Sequence, residues 1–207
     1  MCSSDLMVQD AAQLKDIGKL SEFLAEVKLF SHLFIGVMNS TMSRNEGWQF
    51  GKIGRLLERA DKTARILDVK YFILLPSIVD VGTTLDELQW IALLKSASAY
   101  EMYRKCQHRI NPDSIAKFLI LDREFPRSIQ FCLLEAEKSL YQINGNTVGT
   151  WKSPAERAIG KLRSDLEFTT IEDIKEQGLH EFLDRVQIEL NQVGDRIFGT
   201  FMAVSNG

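Results

Sequence analysis

The densest run of chemistry-bearing side chains lies between Ser43 and Lys70, where seven Lys/Arg stand against four Asp/Glu. At about 100° per residue, Arg55, Glu58, Arg59, Lys62 and Arg65 fall on one side of a helix. Ile53, Leu56, Leu57, Ala60, Ala64 and Leu67 fall on the other and form its core face. Glu58 stands three residues from Arg55 and four from Lys62, and Asp61 stands four from Arg65; these are ion-pairing distances on a helix. Trp48, Ile66 and Val69 interleave with the charges, and Gly51 and Gly54 allow close approach of another element. The charged side is therefore expected to be partly covered, and covered charges need partners. Glu58 would hold the guanidinium of Arg55 or Arg59 in a fixed fork, and guanidinium left over suits a phosphate or carboxylate. Three readings stay open: a structural ion network, a ligand or partner site, and a solvated surface laced with ion pairs. Glu58 is the one candidate general base, on condition that burial raises its pKa.

A second constellation runs from Asp122 to Ser128. Pro126 is expected to open a helix, with Arg127 and Ser128 in its first turn, where free backbone N–H groups favour an anion. The alternative is a tight inter-helix turn in which Asp122 caps and pairs with Arg127. Tyr103 and Arg104 end a helix. Arg104 suits the negative helix terminus, and with Tyr100 the two residues can line a pocket against the central helix. Other chemistries find no pattern. No His follows a Glu at three residues, and neither His-Glu-x-x-His nor Cys-x-x-Cys occurs, so no metal site is expected. There is no Gly-x-Ser-x-Gly elbow and no Gly-rich loop after a strand. No cofactor is expected, and any ATP used must be bound by another protein.

The elements that position these residues are helices. Apolar residues recur at three- and four-residue spacing, as in Leu179, Phe182, Leu183, Val186, Leu190, Val193 and Ile197, and no alternating strand is evident. Ser43–Glu46, Thr84–Glu87 and Ser153–Glu156 fit capping boxes, and Asn111-Pro112 is a further helix start. These signals predict helices from about Ala11 or Gly18 to Asn39, Arg44 to about Leu75, Leu85 to Gln107, Pro112 to Leu121, Pro126 to about Ile143, Pro154 to about Phe168, and Leu179 to about Val204. A short turn is expected at Ile171–Glu176. The fold class is all-α: a single-domain helical bundle of about seven to eight helices. Asn144–Ser153 is the one loop-rich stretch and is too short to separate domains.

With 45% hydrophobic and 26% charged residues, the chain has the composition of a soluble globular protein. Its net charge of −3 gives no reason to expect nucleic acid or an anionic membrane as a partner. No apolar run approaches the roughly 20 residues needed to span a bilayer, and no secretory signal is evident. Three widely spaced cysteines read as reduced thiols in a cytoplasmic protein. Met1–Leu6 lacks helical pattern and matches a translated sequencing-adapter end, so residues 1–6 are set aside as a non-native tail and 7–207 read as the domain.

Gly47 to Asp68, with Glu58-Arg59 at its centre, resembles the signature segment of the alpha-E family, bacterial helical proteins named for a Glu-Arg motif. The resemblance continues through Trp90–Arg104, Phe118–Ser128, Gly160–Leu166 and Gly178–Leu183, and covers the chain from about Ala11 onward. The family is longer, which implies a missing part ahead of residue 7. It carries no established activity. Its genomic company implies a non-catalytic helical module acting with an ATP-grasp peptide ligase and a transglutaminase-like peptidase in peptide or amide modification. The alternative is an enzyme or small-ligand binder that clamps a carboxylate or phosphate with the Arg/Glu side of the central helix.

Overall fold

The computed structural model describes residues 17–72, 83–147 and 149–203. The expectations for Met1–Leu6, Leu75 and Val204 fall outside them. The chain divides into two compact units, Met1–Arg44 and Asn45–Gly207. The first unit contains α1 (Ile17–Thr41). Its end is held locally, by the Thr41 hydroxyl donating to the Val37 carbonyl at 2.8 Å and by Arg44 donating to the Asn39 carbonyl at 2.7 Å.

The second unit is built round α2 (Glu46–Phe72). Asn45 Oδ1 accepts from the Trp48 N–H at 3.3 Å, so Asn45, not Ser43, supplies the cap. Ile53, Leu56, Ala60, Ala64 and Leu67 are all buried, as their spacing predicts; Leu57 is only partly covered. Then follow α3 (Thr84–Ser96), α4 (Tyr100–Cys106), α5 (Pro112–Leu121), α6 (Ile129–Asn144), α7 (Pro154–Glu167), α8 (Ile171–Gln177) and α9 (Leu179–Phe201). All the regular structure among the described residues is helical.

Nine helices are described, where seven to eight were expected, because the segment read as one helix from Leu85 to Gln107 is two. Ser98 takes a left-handed φ of 51°, and the Ala99 N–H turns back to the Leu94 carbonyl at 2.7 Å. That bond closes α3 in the manner of a helix C-terminal turn. The Ser-Ala-Ser-Ala sequence there has no Gly or Pro to announce it. The cap of α3 is Thr83, one residue ahead of the expected Thr84, with its side chain accepting from the Asp86 N–H. The stretch read as a turn at Ile171–Glu176 is helix α8, started by a Thr170–Asp173 capping box.

The principal partner of α2 is α6, with α9 also packed along it. Thr63 reaches Arg127, Lys52 reaches Glu135 and Gln49 reaches Gln142, so the two helices run antiparallel. From α9, Phe182, Leu183, Val186, Leu190, Val193 and Ile197 enter the core. Near the end of α2, Lys70 is 3% exposed and lies 2.7 Å from Asp86 Oδ1, 2.6 Å from Gln89 Oε1 and over the Trp90 ring. A buried ion network therefore fastens α2 to α3. No described helix is long and apolar enough to cross a membrane.

Candidate functional site

The side of α2 expected to carry an ion network has a different arrangement. Glu58 is exposed and, among the described residues, makes no hydrogen bond or ion pair. Arg55 Nε donates to the Gly51 carbonyl of its own helix at 3.2 Å. Arg65 pairs with Asp61 at 2.8 Å, as its spacing predicts, and that bond and charge raise the pKa of Arg65. Lys62 is exposed and, like Glu58, unengaged. No carboxylate fork forms round Arg59. Its Nη1 donates instead to the Pro126 carbonyl at 3.0 Å.

One turn on, the buried Thr63 hydroxyl donates to the Arg127 carbonyl at 2.8 Å. Two consecutive carbonyls of the α5–α6 connection are thus held by α2. The connection is also tied within itself. Asp122 Oδ1 accepts from the N–H groups of Glu124 and Phe125 at 2.8 and 2.6 Å. The Ser128 hydroxyl donates to the Asp122 carbonyl and accepts from the Phe131 N–H. Pro126 therefore does not open α6: Ser128 is its N-cap, and Arg127 precedes the helix. The Ser128 hydroxyl is consumed by capping and the fold around it is fully closed, at 0% exposure, which removes Ser128 as a ligand donor. Asp122 serves backbone N–H groups and does not pair with Arg127.

Arg127 is half-buried, and among the described residues no hydrogen bond or ion pair engages its guanidinium. Burial lowers its pKa, the nearby Arg59 charge lowers it further, and Cys132 acts the other way. The Cys132 thiol is wholly buried. Burial pushes it up to about 12 against the pull of Arg59 and Arg127, so it is a packed thiol and not a nucleophile. The arrangement is a pair of guanidinium groups at a partly desolvated helix junction. Two such cations attract a carboxylate or phosphate and offer donors in a planar fork.

Tyr103 and Arg104 separate. Tyr103 is fully buried, donates its hydroxyl to the Arg109 carbonyl at 2.9 Å and meets Phe118 edge-on at 5.6 Å. It is a core residue, with Phe118 of α5 packed against its ring. Arg104 is exposed and lines a cleft of about 380 Å³ with Asp86, Trp90, His108 and Arg109. Among the described residues no group of three or more His, Cys, Asp or Glu is placed to hold a metal ion. Thr63 escapes sequence reasoning, since a threonine inside a charged helix carries no spacing signal. So does Gln130, a buried amide inside an apolar run.

Fold and site together define an all-helical domain organised round one long helix that carries a Glu-Arg pair on its outer side. The family model described as Alpha-E, "a predicted alpha-helical domain with a conserved ER motif", matches residues 3–202. The chain belongs to the Alpha-E family, and Glu58-Arg59 is the pair that the sequence reading matches to the motif. No curated protein and no solved structure matches the chain.

Proposed function

We propose that the chain is a non-catalytic helical module that docks an anionic group of a partner protein on Arg59 and Arg127. The carrying observation is that these two guanidinium groups lie near each other at the α2–α6 junction and, among the described residues, neither is paired to a carboxylate. A fold that only needed a hydrogen bond to Pro126 has no use for the second, half-buried cation. Glu58, exposed and unengaged, lacks the burial that a general base needs, which favours docking over catalysis. For the class of partner the reading takes what the family resemblance implies, an ATP-grasp peptide ligase and a transglutaminase-like peptidase. A second reading keeps the same pair and replaces the partner by a small carboxylate or phosphate ligand.

The test is co-purification of the tagged chain with the ligase, comparing wild type with the Arg59→Gln/Arg127→Gln double variant. The double variant is expected to weaken the complex at least tenfold, about 1.4 kcal/mol, while keeping its helical circular dichroism. Equal capture by both proteins sinks the docking role. Stabilisation of wild type alone by phosphate or acetate, without capture of the ligase, favours the small-ligand reading.

A further inference from the structure

A cleft of about 320 Å³ lies between α5, the first turn of α6 and the α7–α8 connection. That is the lower end of the range of small-molecule sites, roughly 300–1,000 Å³. Gln130 lines it and is 1% exposed. Both its Nε2 and its Oε1 lack a hydrogen-bond partner. Among the described residues, every other buried polar side chain makes at least one hydrogen bond: Gln49 to Gln142, Thr63 to Arg127, Lys70 to Asp86, Ser128 to Asp122, Glu137 to Arg163, Ser139 to Glu135, and Glu156 to its loop. Other buried atoms, Gln49 Oε1, Asp61 Oδ1 and Glu189 Oε2, also lack a hydrogen-bond partner, but of these residues Gln130 is the one with both side-chain polar atoms unpaired, in the apolar run Ile129–Leu134 where Leu or Met would serve packing better. A buried polar group left unpaired is costly, and its presence calls for a reason.

We infer that this cleft binds a free dipeptide, with the Gln130 amide paired to the peptide group. A primary amide donates and accepts in one plane, and its complement is another amide. Leu121, Leu166 and Ile171 give the cleft apolar lining for small side chains. Lys117 and Glu172 line it too, and among the described residues neither makes a hydrogen bond or ion pair. Lys117 takes the ligand's carboxylate and Glu172 its ammonium. The other charged lining residues, Arg123 and Glu167, pair with each other and act as wall. A dipeptide carries the three complementary groups: an ammonium, one planar amide and a carboxylate. This site shares no residue with the Arg59–Arg127 pair, so each can fail alone.

The test uses the full chain and Ala-Ala, followed by titration calorimetry and thermal unfolding. Millimolar Ala-Ala is expected to raise the Tm of wild type by about 2–4 °C. Gln130→Met keeps the shape and removes the unpaired amide. It is expected to unfold at or above the wild-type Tm without dipeptide, and to lose at least about tenfold in affinity. Lys117→Ala, on the exposed rim, is expected to weaken Ala-Ala similarly while binding C-terminally amidated Ala-Ala as wild type does. Absence of Ala-Ala binding to wild type overturns the proposal. So does equal affinity in Gln130→Met or Lys117→Ala, or a fall in Tm for Gln130→Met that shows the amide to be part of the fold.

Discussion

Arg59 and Asp86 are both charged groups in hydrogen bonds, and their surroundings set very different costs for losing the charge. Arg59 is only partly covered and gives one donor to a carbonyl. Arg59→Gln is expected to lose about 1 kcal/mol, the net worth of an ordinary hydrogen bond. Asp86 is the counter-charge of Lys70, which is 3% exposed. Asp86→Asn strands that ammonium and is expected to lose about 3–5 kcal/mol. Urea unfolding of the two variants measures both, and equal losses would mean that the Arg59 face is buried as deeply as the Lys70 one. At this scale the sequence shows which charged residues share one side of the helix and misses the bonds they make. Spacing along one helix shows which side chains share a face, so Asp61–Arg65 was readable. It carries no information on the carbonyls of a distant turn, and those are what Arg59 and Thr63 engage.

Helix ends show the same division between local and distant information. The Ser153–Glu156 box is read directly from sequence because all its atoms lie within one turn. Glu156 does more than close that box. Its Oε1 accepts from the side-chain amides of Asn144 and Asn146 at 2.7 and 2.6 Å, and its Oε2 from the N–H groups of Lys152 and Ser153 at 2.6 and 3.0 Å. One carboxylate thus joins the end of α6, closed by Gly145 in a left-handed conformation, to the start of α7. Burial pushes its pKa up, but these hydrogen bonds outweigh burial, and the net shift is downward from 4.5. A lowered folded-state pKa means stability that is present above the unfolded value and lost as pH falls through the folded one. Glu156→Gln keeps one acceptor oxygen of two. It is expected to lose about 1–3 kcal/mol near pH 7, with the gap to wild type steady down to about pH 5 and narrowing below 4.5. Denaturant midpoints across that range measure it, and a gap independent of pH would assign the effect to shape alone. The break at Ser98, by contrast, had no local signal, because a left-handed Ser costs little enough to be set by the packing of α3 and α4 on either side.

For the whole molecule, the all-α class was legible because periodicity is a property of every segment at once, whereas the division after Arg44 depends on which segments share a core. The buried hydrophobic side chains among the described residues run from Ile53 to Ile197, all within the unit Asn45–Gly207. That unit owns the interior, the Lys70–Asp86 network and the carboxylate-tied loop at Glu156, so its cooperativity should not need the residues before Asn45. A chain starting at Asn45 is expected to unfold in one transition with a Tm within about 4 °C of the full chain, a shift that corresponds to roughly 1–2 kcal/mol at this size. Coincident unfolding by circular dichroism and tryptophan fluorescence checks the single transition; a broad, non-cooperative melt would overturn the expectation that the second unit folds alone. Arg59 and Arg127 also belong to the second unit. If the shortened chain folds, it should retain partner capture, and loss of capture from a folded shortened chain would overturn that expectation.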